Sequence, residues 1–250
     1  MAHSGLCCGL YRGTFYLKDL SSASNPLLSV GNAEAEITQE LTEIEQASFQ
    51  SLGGSACKVA YVESVNLNLT LHCTSPENLA LAFMGQASQL TETAVVNEPH
   101  VVNSKDNELI PFDFVPKKTP AIVVTTTDGL TTYVAGTDYI VTGAGIIIPS
   151  TSTIPLASTI HVDYTYGDNW KLDAQTVAQK EFMVVLDGVN VGESGDKAAV
   201  LKAWKVKFNP AENFALISGE DFASVELAGE ILRDDSKLTG SKYFTVEWAE

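Results

Sequence analysis

The sequence predicts a mainly all-β chain with one short α-helix. Three observations predict it. Thr, Val, Ile, Tyr and Phe recur in short runs divided by Gly, Asn, Asp and Pro, which is how strands and tight turns alternate in a sandwich or barrel. A single segment, Ser75 to Gly85, carries helix start and stop signals. Hydrophobic residues make up 45% and charged residues 18% of 250 residues, a composition that buries a core and suits one large domain or two small ones.

Along the chain, the N-terminal stretch is broken by Gly9, Arg12 and Gly13 and has no charged lead, so it reads as no signal peptide. No apolar run reaches the roughly 20 residues of a membrane helix, and folding in a cytosol is expected. Ala60 to Cys73 alternates: Val62, Ser64, Asn66, Asn68 and Thr70 face one way and Val65, Leu67, Leu69 and Leu71 the other, a half-buried strand. In the helix that follows, Ser75 suits the N-cap, Pro76 the first turn, Glu77 the positive dipole end and Gly85 a left-handed stop. Leu79, Ala82 and Phe83 share the side that would cover a sheet.

Residues 96–168 hold their own strand set: Pro111–Val115, Ala121–Thr127, Thr131–Val134, Tyr139–Val141, Gly145–Ile148 and Thr159–Tyr166, joined at Asp128-Gly129, Ala135-Gly136 and Gly143 to Gly145. That is enough for a small sandwich inserted into a first domain made of 1–95 and 169–250. The first domain resumes with strands at Glu181–Leu186, Val200–Phe208, Phe214–Ile217, Ser224–Leu232 and Tyr243–Trp248.

Thirty-one acids against 15 bases give a net charge of -16, which argues against gripping nucleic acid through its phosphates. It does not exclude letting nucleic acid pass. No catalytic motif is found. Gly192-Glu193-Ser194-Gly195-Asp196-Lys197 lacks the Gly-Lys-Ser/Thr ending of a phosphate loop and reads as a polar turn, and there is no G-x-S-x-G. Cys7, Cys8, Cys57 and Cys73 contain no C-x-x-C pair and read as free thiols, while Asp113, Asp138, Asp163 and Asp168 read as turn and edge residues rather than calcium ligands. No enzyme, cofactor or metal is expected.

The most unusual stretch is Asn32 to Lys58. Glu34, Glu36, Glu40, Glu43 and Glu45 fall within twelve positions without one base. Ile37, Leu41 and Ile44 at helical spacing, with Phe49 beyond, allow a helix with a solvated acidic side. Gly53-Gly54 allows instead a long, mobile, acidic arm, which serves a subunit that docks on identical neighbours.

Three segments carry a resemblance over most of the chain. They are Tyr61 to Leu71 running into Ser75 to Ala80, Phe208 to Ile217 followed by Phe222 to Asp234, and the inserted module with Gly136-Thr137-Asp138-Tyr139 and Val162-Asp163-Tyr164. The layout resembles the major tail tube proteins of long-tailed, siphovirus-type bacteriophages. The resemblance implies a tail-tube β-sandwich or barrel domain with an inserted immunoglobulin-like β-sandwich on the outside. It implies hexameric rings stacked around a tape-measure protein, with tail terminator and tail tip or baseplate proteins at the ends. Double-stranded DNA would pass without sticking, in a virion tail assembled in the bacterial cytoplasm with no membrane anchor.

The inter-ring arm then falls on about Ile37 to Ala56, with Glu40, Glu43, Glu45, Phe49, Gly53 and Gly54 as its residues and Lys202, Lys205, Lys207 or Arg233 of a neighbour as partners. Glu34, Glu36 and Glu63 are the candidate lumen acids. The alternatives are a β-rich surface adhesin or carbohydrate-binding module, and the inner tube protein of a contractile injection system.

Overall fold

The computed structural model describes residues 9–47, 55–192, 197–214 and 222–249. It is mainly β with one short helix. In chain order the elements are β1 (Tyr11–Asp19), β2 (Leu28–Ser29), β3 (Ala33–Ala47), β4 (Ser55–Leu71), α1 (Pro76–Ala82), β5 (Gln86–Leu90), β6 (Thr93–Val101), β7 (Glu108–Pro111) and β8 (Val123–Thr126). Then come β9 (Ile140–Val141), β10 (Gly145–Ile148), β11 (Thr159–Tyr166), β12 (Asn169–Asp173), β13 (Glu181–Asn190), β14 (Lys197–Phe208), β15 (Val225–Ile231) and β16 (Phe244–Trp248). The chain forms two compact units, Met1–Ala87 with Leu172–Glu250, and Ser88–Lys171. It passes from one to the other within β5 and again within β12, which pair with each other.

The first unit is an eight-stranded sheet in the order β2-β1-β13-β14-β15-β4-β3, with β16 also on β14. β14 is shared lengthwise: β15 pairs with Val206 to Phe208, and β16 with Ala199 to Ala203. Between those stretches Val206 and Ala203 oppose Phe182 and Val184, so β14 carries one extra residue and bends there.

One face of the sheet makes the core. Phe15 and Leu17 of β1, Leu67, Leu69 and Leu71 of β4, Val206 and Phe208 of β14, and Val225, Leu227 and Ile231 of β15 are all buried in one cluster. β1 was not expected, because Gly9, Arg12 and Gly13 interrupt its apolar run. Pairing explains it: Gly13 lies opposite Gly188, and a Cβ on Gly13 would meet the Asp187–Gly188 backbone, so the glycine admits a close approach of two strands.

Helix α1 closes one end of this core. The Ser75 hydroxyl accepts from the Asn78 N–H at 3.2 Å, the expected N-cap. The buried Asn78 amide then donates to the Val30 and Cys73 carbonyls, each at 2.8 Å, and clamps the helix to the chain before and after the β3–β4 pair. The left-handed residue is Met84 (φ 47°), not Gly85. Gly85 is needed for space, since a Cβ there would lie 2.6 Å from the Asp173 carbonyl oxygen.

The second unit packs two three-stranded sheets, β6-β11-β8 and β7-β10-β9, over one core containing Ile110, Phe112, Val124, Tyr139, Ile146, Ile160 and Tyr164. The strand expected at Thr131–Val134 is a single bridge, Thr125 to Thr132, and Phe214 likewise makes one bridge, to Val225. Residues 215–217 and 193–196, where a strand and a polar turn were expected, lie outside the described residues.

Asp138 is buried because it serves the local chain. It accepts from the Val134 N–H and from the Thr153 N–H and hydroxyl at 2.7–2.9 Å, and these bonds hold its carboxyl below the usual range.

Candidate functional site

The segment Asn32 to Lys58 is neither helix nor loose arm where it is described. It is strand. β3 and β4 pair in register from Ala33–Leu71 to Ala47–Ser55, a long antiparallel hairpin. The period-two signal is present in Ala33-Glu34-Ala35-Glu36-Ile37, with Ala33 and Ile37 packed against the core and the glutamates on the other side. Helical spacing of Ile37, Leu41 and Ile44 is a coincidence of sequence. A bulge lies on the partner strand: Glu40 opposes Ser64 but Leu41 opposes Val62, so Glu63 is an extra residue on β4, whose faces invert beyond it while β3 keeps its alternation. The expected alternation of β4 therefore holds from Ser64 to Leu71, and Val62 departs from it.

The hairpin overruns the sheet. β15 covers β4 only from Leu71 to Asn66. Past that point neither strand has a third neighbour among the described residues, and β3 has a free edge along its whole length. This outer part carries five large apolar side chains in solvent: Leu41 (64% exposed), Ile44 (59%), Val59 (61%), Tyr61 (49%) and Val62 (46%). The register puts Ile44 beside Val59, and Tyr61 beside Thr42, on one face, and Leu41 beside Val62 on the other. Together they expose on the order of 500 Å² of apolar surface, divided between the two faces of the hairpin.

Of the six expected arm residues, Glu40, Glu43 and Glu45 lie on β3, while Phe49, Gly53 and Gly54 lie outside the described residues. The acids are not without a base. Lys58 bridges Glu43 at 2.6 Å and Glu45 at 3.5 Å across the hairpin, and Glu40 accepts from the Ser64 hydroxyl at 3.2 Å. The cations expected on a neighbour are largely engaged at home: Lys202 with Glu247, Lys205 with Glu181, and Arg233 with Asp235. These pairs are exposed and worth little individually, but they balance charge where they stand.

Glu34 and Glu36 lie side by side on the non-core face of β3. Register carries that face across the sheet: Glu34 opposes Thr70, which opposes Glu226, and Thr38 opposes Asn66, which opposes Glu230. Glu34, Glu36, Glu226 and Glu230 thus form one exposed acidic field with Asn66, Asn68 and Thr70 between them. β3 and β15 contain no Lys or Arg, and β4 has only Lys58 at the far end. Glu226 and Glu230 were missed by sequence reading, because only the β15–β4 pairing reveals their neighbours. Glu63 is set apart from this field. It occupies the bulge and takes the Thr42 hydroxyl as its hydrogen-bond donor.

On the core side, a cleft of about 780 Å³ opens between β3 and β16. Its walls include core residues Phe15 and Leu67, with Ile37, Leu201, Trp248 and Arg12 around them. β1 supplies Tyr11 to Gly13 and Phe15 to the cleft, and β14 supplies Ala199 and Leu201.

A family model described as protein of unknown function UCP028589 matches residues 10–247. The chain belongs to this family. The match begins one residue before β1 and ends within β16, so the overrunning hairpin, the whole second unit and nearly all of the first fall inside the family's span. No curated protein matches the chain.

Proposed function

We propose that this chain is a structural, non-enzymatic subunit that joins copies of itself into rings stacked as a hollow tube, the tail tube of a long-tailed phage virion. The observation that carries this reading is the β3–β4 hairpin: a strand pair that leaves its own sheet, keeps one edge unpaired and holds about 500 Å² of apolar surface in water. Such an element is costly to a lone protein, since open apolar strand edges invite aggregation. It is useful to a protein whose partner is another copy, where head-to-tail contact closes rings around an axis and stacking extends a filament.

The acidic field is the second support. Duplex DNA carries one negative charge per ~1.7 Å of axis, and binding requires Lys and Arg to replace its counterions. A face bearing Glu34, Glu36, Glu226 and Glu230 with polar uncharged residues between them repels phosphates. Turned to a bore, it lets DNA slide. The tape-measure, terminator and tip proteins of such a tail are the further partners of this reading.

Negative-stain microscopy of the purified chain over a concentration series tests it. Rings or tubes with a central hole are the expected result. A monomer at every salt and concentration, also in the presence of the particle's own tail tip complex, overturns it.

A further inference from the structure

Resting on the self-assembly reading, we propose that the cleft between β3 and β16 is the acceptor for the outer β3–β4 hairpin of a second copy. Three features of the two surfaces fit. The cleft is walled largely by apolar side chains, with Arg12, Asn32 and Glu34 also lining it, and Ile44, Val59 and Tyr61 lie together on one exposed face of the hairpin as the apolar body to fill it. Among the described residues both lips are strands with a free edge, β3 on one side and β16 on the other, so an extended segment finds backbone partners as well as a pocket. Arg12 lines the cleft and makes no ion pair among the described residues, while Glu40 lies on the same hairpin face as Ile44 and has only the Ser64 hydroxyl. An Arg12–Glu40 contact between copies supplies the charge match.

The volume also suits the occupant. About 780 Å³ is in the range of pockets that take a drug-sized body, and three medium side chains are such a body. Donor and acceptor are different surfaces of one chain. Each copy can give one hairpin and receive one, so the contact propagates instead of closing on itself as a symmetric dimer.

The test is a mixing experiment followed by sedimentation velocity and negative stain. Ala35 is an exposed lip residue, so Ala35→Trp plugs the cleft from outside without disturbing the core. Tyr61→Asp spoils the hairpin face. Each variant alone is expected to raise the concentration for assembly at least ~10-fold. An equimolar mixture is expected to give one heterodimer and nothing larger, because only one intact hairpin and one intact cleft remain to meet. Arg12→Glu is expected to weaken assembly and Glu40→Arg to restore it in the double variant, a check independent of any folding defect in Ala35→Trp.

Assembly of Ala35→Trp at the wild-type concentration overturns this pairing and leaves the tube reading standing. Head-to-tail chains of wild type without a hollow axis, blocked by Ala35→Trp, support the pairing and overturn the tube. A wild type that stays monomeric at every concentration, also with the tail tip complex present, overturns both.

Discussion

Replacing Ile44 by Ser separates assembly from folding in a single position. Ile44 is 59% exposed and sits where β3 has only β4 beside it, so the monomer draws little from its side chain. Exposed substitutions of this kind change stability by about 0.5 kcal/mol or less, which is about 2 °C in a protein of this size. Docking on a second copy is different. Roughly 100 Å² of apolar side-chain surface would leave water, worth about 2.5 kcal/mol at 25 cal/mol per Å². Converted in full, that is roughly 70-fold in the association constant. Ordering of the contact consumes part of it, so a loss between about 10-fold and 70-fold is expected. The assay is the concentration at which half the protein pellets, read beside thermal unfolding of the same samples. An unchanged pelleting concentration with unchanged unfolding refutes the assignment of this hairpin as the docking element.

Other consequences can be measured on the monomer. Leu67→Ala removes a fully buried side chain from the middle of the main core and should cost about 2–5 kcal/mol by denaturant titration. Gly145→Ala should unfold the inserted unit by near-UV circular dichroism while the first unit keeps its transition, since φ is +153° and a Cβ would overlap the Ile110 carbonyl oxygen.

Acid unfolding should report Asp19. Burial alone would raise its carboxyl, but the Lys180 ammonium at 2.7 Å and the Ser21 bonds overcome this and hold it down to about 2. The folded value lies below the unfolded value near 3.9, so the stabilisation is whole above that pH and lost as pH falls toward 2. Asp19→Asn should therefore be about 1–2 kcal/mol less stable than wild type at pH 6, and the gap should close by pH 2.

Alkaline titration followed at 295 nm should leave Tyr164 protonated after exposed tyrosines have ionised. Burial raises it, and its hydroxyl donates to the Glu98 carboxylate at 2.6 Å. Burial raises Tyr133 and Tyr139 as well, so Tyr164→Phe should remove one tyrosine from the late-titrating group and leave the rest.

Much of the fold was legible because its signals are local. Ser64 to Leu71 alternates, Ser75-Pro76-Glu77 opens the helix, and Gly143 to Gly145 turns the chain into β10, each by rules that need only neighbours in sequence. β1 was not legible, since Gly13 looks like a break until Gly188 is placed opposite it. The acidic hairpin was legible as an unusual segment and as a contact element, yet its conformation was not. Ile37, Leu41 and Ile44 fit a helical stripe equally well, and strand pairing with Lys58 through Ser64 decided otherwise. Glu43 and Glu45 looked unbalanced for the same reason: their counter-charge is thirteen or more residues away along the chain but beside them across the hairpin.

By itself the sequence determined the class, the single helix, the acidic excess and the place of the odd segment, because composition and short-range periodicity act before any distant contact forms. The tertiary structure alone decided that Glu226 and Glu230 join Glu34 and Glu36 on one face, that β15 stops short of the hairpin's outer half, and that a cleft opens between β3 and β16. Each of these depends on which strands lie side by side and in what register. Register is a property of pairs of segments far apart in the chain, where one extra residue such as Glu63 changes which side chains face water.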